Sequence, residues 1–248
     1  MERKKNYILT MIFLFSVLMA NASYKTEIYN AYISNQMDIW KSIIDKMEKA
    51  KKAETAYIHQ LVNYQYGYIA WCIGNDKDDE AKNYLDLAEK NLEWLEDKQF
   101  SMSTINAYKS AFYGFKIGIT PVKAPFLGPK SVNCSKLAME QDKSNPMGYI
   151  QYGNSQFYMP PVFGGSKEEA LKYFNTALNL MEMDKNEIVN DWNYLSLLAL
   201  IGQSYEKTEQ LEKAKIFYEK ALEAESQFLY VKNELYPGIL KKMKESNE

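Results

Sequence analysis

The residues that could carry out chemistry are few and do not form a recognisable catalytic site. His59 is the single histidine, and it lies in an apolar stretch with no second histidine or nearby cysteine at a metal-ligand spacing. A hydrolase needs a nucleophile, a base and a group that orients the base, and a zinc site needs several ligands. A lone histidine among apolar neighbours is more often a packed or surface residue. The sequence therefore predicts no enzyme activity, no metal site and no cofactor.

Two further motifs have the composition of ion-binding loops but the wrong spacing. The acidic stretch 75–80 is followed by Ala81, where a calcium-binding loop requires glycine for its turn. Gly164-Gly165 is followed by Ser-Lys, the reverse of the Lys-Ser order in a phosphate-binding loop. We interpret the first motif as the carboxylate-rich start of a helix, and the second as a turn before a helix.

The two cysteines, Cys72 and Cys134, leave two interpretations open. In an exported protein they could form a disulfide, provided that their Cα atoms lie within about 7 Å. Both occur in apparently helical segments with apolar neighbours, where small buried thiols are the commoner outcome.

The first 22 residues have the composition of a secretory signal. A short basic start precedes the uncharged run 7–20, and Ala20-Asn21-Ala22 supplies the small residues that a signal peptidase requires. The run has 14 residues, too few to span a hydrocarbon core of about 30 Å as a mature helix. We predict a signal peptide at 1–22, cleavage near Ala22, a mature domain at 23–248, and a periplasmic or secreted protein. A retained N-terminal membrane anchor is the alternative.

The charge balance gives no general attraction to polyanions. The formal net charge is −2 at pH 7, from 30 basic and 32 acidic side chains. We therefore predict no nucleic-acid partner, and contact with a membrane only through a partner.

The elements that carry these residues are helices, because apolar residues recur at helical spacing along most of the chain. The clearest segment is 195–228, in which small and aromatic residues fall on matching helix faces. This pattern resembles the tetratricopeptide repeat, which implies two antiparallel helices packed through small residues beside tyrosines. The residues that carry the resemblance, and that we predict to pack the repeat, are Gly202, Tyr205, Ala214, Tyr218 and Ala221.

Weaker copies of the pattern occur upstream. The nearest copy has the second-helix stripe Ala170, Phe174 and Ala177, after a first helix at 146–157. More degenerate copies place Tyr66-Gly67 before helix 81–88, and Tyr113-Gly114 before a proline-rich loop at 120–130. The sequence predicts an all-α fold, an α-α superhelix of about four helix pairs with flanking helices, about ten helices in all.

A second, narrower resemblance covers a single segment of the chain. Residues 149–178, with an aromatic helix, a Pro-Pro and Gly-Gly loop and an alanine-rich helix, are similar to the periplasmic T component of TRAP-type transporters. They are equally similar to exported tetratricopeptide proteins of Bacteroidetes-like bacteria. The first similarity implies a solute-binding accessory subunit, with transporter components as partners.

The resemblance to tetratricopeptide repeats implies a scaffold that binds a protein or peptide partner in the cell envelope. In stacked pairs the first helices line the concave face, where tyrosines suit partner recognition. The loops 120–130 and 158–165 are expected on one rim, where they either bind the partner or fold back to fill gaps between helix pairs. The residues predicted to bind a partner are Tyr64, Tyr68, Tyr108, Tyr149, Tyr152, Phe126, Tyr158 and Phe163.

Overall fold

The structure, a computed structural model, describes residues 24–246. In this part of the chain, helices are joined by turns and there is no β-strand, which confirms the all-α prediction. The predicted signal peptide at 1–22 lies outside the described residues. The helices are α1 (24–33), α2 (Met37–Ala50), α3 (Thr55–Gly74), α4 (Asp78–Asp97), α5 (Met102–Ile119), α6 (Ala124–Gln141), α7 (Pro146–Tyr158), α8 (Lys167–Met181), α9 (Trp192–Lys207), α10 (Leu211–Ala224) and α11 (Tyr236–Glu245), the last continuing from a π-helical turn at Val231–Leu235.

The helices pack as four pairs, which confirms the predicted superhelix. The pairs are α3–α4, α5–α6, α7–α8 and α9–α10, and each second helix also contacts the first helix of the next pair. Helices α1, α2 and α11 flank them. Because each pair alone leaves an apolar face uncovered, the stacking of neighbours supplies the continuous core.

Glycines, which have no side chain, set the distance between paired helices in the last two pairs. A Cβ at Gly202 would lie 2.3 Å from Cε1 of Tyr218, and a Cβ at Gly153 would lie 2.4 Å from Cε1 of Phe174. Each ring therefore occupies the space that glycine leaves on the facing helix. The rest of the two predicted stripes is buried as well: Ala170, Ala177, Ala214 and Ala221 are fully covered.

Pair α5–α6 is held together differently from the prediction. Gly114 faces open space, and the close contact is made by Ser110 and Ser131, whose hydroxyls each donate to the other residue's carbonyl over 2.8 Å. The proline-rich loop expected at 120–130 is also wrong. Its first residues form a short 3₁₀ turn, and α6 already begins at Ala124. Pro125 near the helix start costs little, because the first amide groups have no partner within the helix, whereas Pro129 lies inside α6.

Gly67 does not pack against α4, as its assigned place in the repeat implied. A Cβ there would lie 2.7 Å from ring atoms of both Trp40 and Trp192. Gly67 therefore belongs to the contact between the first pair and the last, rather than to a contact within one pair.

The chain closes on itself through this contact. Trp192, the first residue of α9, donates its indole N–H to Oδ1 of Asn63 on α3 over 3.0 Å. On α1, Tyr29 donates to a carboxylate oxygen of Glu225 after α10, and the Tyr32 ring packs on Trp192. Helix α1 therefore bridges the two ends of the superhelix.

Side chains cap the starts of α7 and α8. Asn145 accepts from the amide of Met147, and Ser166 accepts from that of Glu169. The reciprocal half of a capping box at Ser166 is missing, since the Glu169 carboxylate pairs with Lys172.

Within residues 24–246, no helix is both long and apolar enough to cross a membrane.

Candidate functional site

The concave face, where a partner was expected, is largely occupied by the protein itself. Helices α3, α7 and α9 meet there, around a cavity of about 30 Å³ lined in part by Tyr66, Ile150 and Trp192. That volume holds about one water molecule. The cavity itself is therefore too small to hold a partner segment.

Three of the tyrosines predicted to bind a partner are core residues instead. Tyr64, Tyr68 and Tyr108 are almost completely buried. Tyr68 donates to the Glu80 carboxylate over 3.1 Å, and the Tyr108 hydroxyl accepts from the Asn63 amide over 3.0 Å. The prediction is wrong for these residues because α3 and α5 are covered on several sides, so helical periodicity alone does not separate a groove face from a core face.

Tyr149 and Tyr152 lie on α7 but not at the concave centre. Both rings contact Tyr173 of α8, with centroids 6.4 and 4.4 Å apart respectively. They are half-buried, and their contacts stabilise the pair α7–α8.

The remaining predicted residues are exposed. Phe126 is 76% exposed, Phe163 is 73% exposed and Tyr158 is 72% exposed. Phe126 lies on the first turn of α6, and Phe163 ends the 3₁₀ turn Pro161–Phe163 between α7 and α8. These side chains do not fill gaps between helix pairs, so the packing alternative is wrong for both phenylalanines.

Tyr158 borders an opening that we call the tyrosine cleft, defined by Tyr66 on α3, Tyr158 at the end of α7 and Tyr230 before α11. The Tyr158 phenol contributes to the raised pKa of Tyr66, and the Tyr230 phenol contributes to that of Tyr158, which places the three side chains in one neighbourhood. Tyr66 is half-buried below the mouth and stacks on Phe115, with ring centroids 5.5 Å apart.

Side-chain amides on α7 form the floor of the cleft. Gln151 donates to the Tyr66 hydroxyl over 3.0 Å, and Asn154 donates to Oε1 of Gln151 over 3.2 Å. Oδ1 of Asn154 is buried and has no hydrogen-bond partner within the described residues. A buried acceptor without a partner costs about 1–3 kcal/mol, so it favours a ligand or water that donates a hydrogen bond.

The side chains that define the cleft carry no formal charge. Burial raises the pKa of the Tyr66 and Tyr230 phenols, so both remain protonated at neutral pH. The carboxylates of Glu234 and Glu206 act on Tyr230 and raise its pKa further. Gln203 completes the far side by donating to the Tyr230 hydroxyl over 2.9 Å. Phenols and amides together suit a ligand with its own hydrogen-bonding groups and little net charge.

The histidine and the cysteines, which could in principle carry out chemistry, show no arrangement of a reactive site. His59 contacts the rings of Phe100 and Tyr108, and burial lowers the pKa of its imidazole. Cys72 and Cys134 are both free thiols, so the disulfide interpretation is wrong in this structure. No cluster of histidine, cysteine or acidic residues among 24–246 has the geometry of a metal site.

The sequence did not single out most of the cleft. Gln151, Asn154 and Tyr230 are ordinary polar and aromatic residues in helical segments, and Tyr230 lies beyond the last repeat. The one available signal was Tyr66, which shares α3 with Tyr64 and Tyr68 and cannot share a helix face with both.

The repeat pattern agrees with a known family. Residues 195–228 match the tetratricopeptide repeat. The matched segment is α9–α10, where Gly202 lies against Tyr218. No curated protein sequence matches the chain significantly.

Comparison with solved structures supports the fold over a larger part of the chain. The HusA haemophore from Porphyromonas gingivalis is similar with a TM-score of 0.58 and 18% identity, covering 73% of this chain and 93% of that chain. BtubC from P. vanneervenii aligns with a TM-score of 0.40 and 12% identity, over 78% of this chain and 74% of that chain. At these identities the comparison with HusA shows a shared helical fold and nothing about ligands.

Proposed function

We propose that this protein is a non-catalytic scaffold that binds a polypeptide segment of a partner protein at the tyrosine cleft. The observation that carries the proposal is the exposed Tyr158 ring about one helical turn along α7 from the buried, unpartnered Oδ1 of Asn154. Tetratricopeptide repeats generally mediate binding between proteins, which agrees with this role. The proposal moves the partner from the centre of the concave face to its open margin.

The chemistry of the cleft matches a peptide backbone. A peptide N–H can donate to Asn154 Oδ1, and its carbonyl groups can accept from a tyrosine hydroxyl. The Tyr158 ring offers a large apolar surface at a low cost in side-chain entropy, which is why tyrosine is enriched where proteins bind each other. The carboxylates of Glu206 and Glu234 near Tyr230 disfavour an acidic segment on that side, and selectivity would otherwise come from shape and hydrogen bonding.

Site-specific cross-linking tests the proposal. A benzophenone amino acid placed at Tyr158 should yield discrete protein adducts in the native host, identified by mass spectrometry. The matched control is the same probe at Met183, which is 82% exposed and follows α8 at the other edge of the fold. Asn154→Leu should reduce the adducts at position 158, because it removes the acceptor and keeps the size. Identical adducts at both positions, or none at 158, would contradict the proposal.

A planar solute is the second candidate, and it corresponds to a solute-binding role. The stacked rings of Tyr66 and Phe115 beside the cleft favour it. HusA is described as a haemophore, so ferric porphyrin is the appropriate probe. A saturable 1:1 change in porphyrin absorbance that Tyr158→Ala abolishes, without cross-linked proteins at position 158, would support the solute and exclude the polypeptide.

We further propose that the protein acts outside the cytoplasm, on the strength of the signal-like residues 1–22. The N-terminal sequence of protein isolated from its host tests this, with a start near Ser23 expected and an intact Met1 in a cytoplasmic fraction contradicting it. The transporter association rests on the resemblance of 149–178 alone, and adjacent genes for transporter subunits are the observation that would favour it.

A further inference from the structure

Two neighbouring turns project large apolar side chains into solvent. The tip of the second pair carries Val122 and Phe126, and the tip of the third carries Val162 and Phe163, with exposures between 73% and 83%. Together with Lys123 and Lys130 we call these residues the tip surface. Exposed apolar groups that cluster in this way mark an interaction site more often than a packing fault.

Both tips lie on the same edge of the fold. The N-cap residue of α7, Asn145, donates to the Ser103 hydroxyl at the start of α5 over 2.9 Å. The starts of α5 and α7 are therefore neighbours, and the two helices run in parallel within the stack. Their ends, which lead into the two tips, consequently share the opposite edge.

The tip of the second pair is positively charged, although the chain as a whole is slightly acidic. Residues 98–139 contain six lysines and no aspartate or glutamate, although the whole chain has a formal net charge of −2. Lys109 and Lys116 pair with carboxylates of α4. Lys123 and Lys130 are exposed and make no ion pair within the described residues, so their charges remain available at the tip.

We propose that the tip surface docks directly on an anionic lipid bilayer. Four apolar side chains would enter the interfacial layer, while the two lysines reach the phosphate groups around them. This goes beyond the proposed binding of a polypeptide at the tyrosine cleft, and it does not depend on that function. It replaces the expectation that the protein meets a membrane only through a partner.

The shape and the charge favour lipid over a protein partner. A protein would need a matching pocket for each projecting side chain, whereas a fluid interface accepts any projecting apolar shape. The turn after α3 lies beside the end of α5, since a Cβ at Gly118 would lie 3.3 Å from Ile73. That turn and the start of α4 carry Asp76, Asp78 and Asp79 against the single Lys77, so the first pair would tilt away. At the start of α8, Glu168 and Glu169 are offset by Lys167 and Lys172, so the contact is left to the second and third pairs.

An environment-sensitive fluorophore on a single cysteine tests the proposal in the full chain. It is attached at Phe126→Cys or Phe163→Cys in a Cys134→Ser background, with Met183→Cys at the opposite edge as the matched control. Cys72 stays in place because it is fully buried. The apolar run 7–20 could itself associate with vesicles, and a signal read at each position separates that effect from insertion of the tips.

Vesicles of phosphatidylcholine with about one-third phosphatidylglycerol should raise the emission at 126 and 163 at least about twofold, and leave 183 unchanged. Lys123→Gln with Lys130→Gln should weaken partitioning roughly 25-fold, from about fivefold for each lysine near an anionic surface. Equal changes at all three positions, or no change at 126 and 163, would overturn the proposal. So would a rise at 126 and 163 that requires an added protein, which would make the tips a protein interface.

Discussion

The indole nitrogen of Trp192 lies 3.0 Å from Oδ1 of Asn63, although the two residues are 129 positions apart in the chain. This hydrogen bond joins the first helix of the first pair to the first helix of the last. Nδ2 of Asn63 also donates to the Tyr108 hydroxyl, so one amide connects three helices. The contact joins the two ends of the superhelix to each other.

Asn63→Ala is expected to lower the free energy of unfolding by about 1–3 kcal/mol, because it leaves the buried Trp192 N–H without an acceptor. Urea denaturation followed by circular dichroism measures the change. Asn133→Ala on the exposed side of α6 is the matched control, with an expected effect within about 0.5 kcal/mol. Equal losses in the two variants would show that the contact between the ends contributes nothing.

Gly202→Ala should destabilise the protein by about 1–3 kcal/mol or more, because the new Cβ would overlap the buried Tyr218 ring. Gly114→Ala is the opposite case, since nothing lies within 4 Å of its added Cβ in the interior of α5. That control should stabilise the protein by about 0.5–1 kcal/mol through helix propensity. Thermal unfolding of the two variants measures both changes in stability. A loss of stability in Gly114→Ala would contradict the assigned packing of α5.

The carboxyl group of Asp191 leads to a prediction for how the stability of the protein depends on pH. Burial raises the pKa of this carboxyl group, so the charged form is less favourable in the folded protein than in the unfolded chain. Its contribution to stability is therefore present at low pH and is lost as pH rises through the folded pKa. Asp191→Asn keeps an acceptor for the amide of Asn193 at the start of α9, and should be more stable than the wild type at pH 7.

The advantage of Asp191→Asn should disappear below about pH 4, where the unfolded aspartate is protonated too. Unfolding free energies measured from pH 3 to 8 check this. Asp38→Asn is the control of opposite sign, because it removes an exposed carboxylate from the first turn of α2, where the helix dipole favours it. An advantage for Asp191→Asn that is the same at every pH would contradict the assignment to a charged group.

Cys72 should be unreactive in the folded protein. Burial raises the pKa of its thiol to about 11, which leaves about one molecule in a thousand as thiolate at pH 8, and its side chain is fully covered. A thiol reagent should therefore modify only Cys134 in the native state, and both cysteines in urea. Cys134→Ser is the control, which should show almost no native labelling. Rapid native modification of Cys72 would mean that α3 opens locally.

The two tip phenylalanines should contribute little to stability. Phe126→Ser and Phe163→Ser are each expected to change the unfolding free energy by less than about 0.5 kcal/mol, because both rings are largely exposed. Phe174→Ala, at a fully buried ring between α7 and α8, should cost about 3–5 kcal/mol. Thermal melts of the three variants test this, and a large loss for the tip variants would mean that these rings pack in the folded protein.

The sequence by itself determined the helical class and the arrangement in pairs. Small residues opposite aromatic residues, such as Gly202 and Tyr218, prescribe how closely two helices approach, and that pattern is local enough to read along the chain. The starts of α7 and α8 were also readable, because a cap depends on one side chain and the next few amides.

Only the tertiary structure decided which tyrosines are buried and where a partner can bind. Tyr64 and Tyr66 are two residues apart on one helix, and their exposure depends on what the rest of the chain places beside each face. Trp192 and α1 fill the centre of the superhelix through contacts more than 100 residues apart, which leave no periodic signal in the sequence. The tyrosine cleft exists because α3, α7 and the segment before α11 converge, and their convergence is a property of the closed stack rather than of any one repeat.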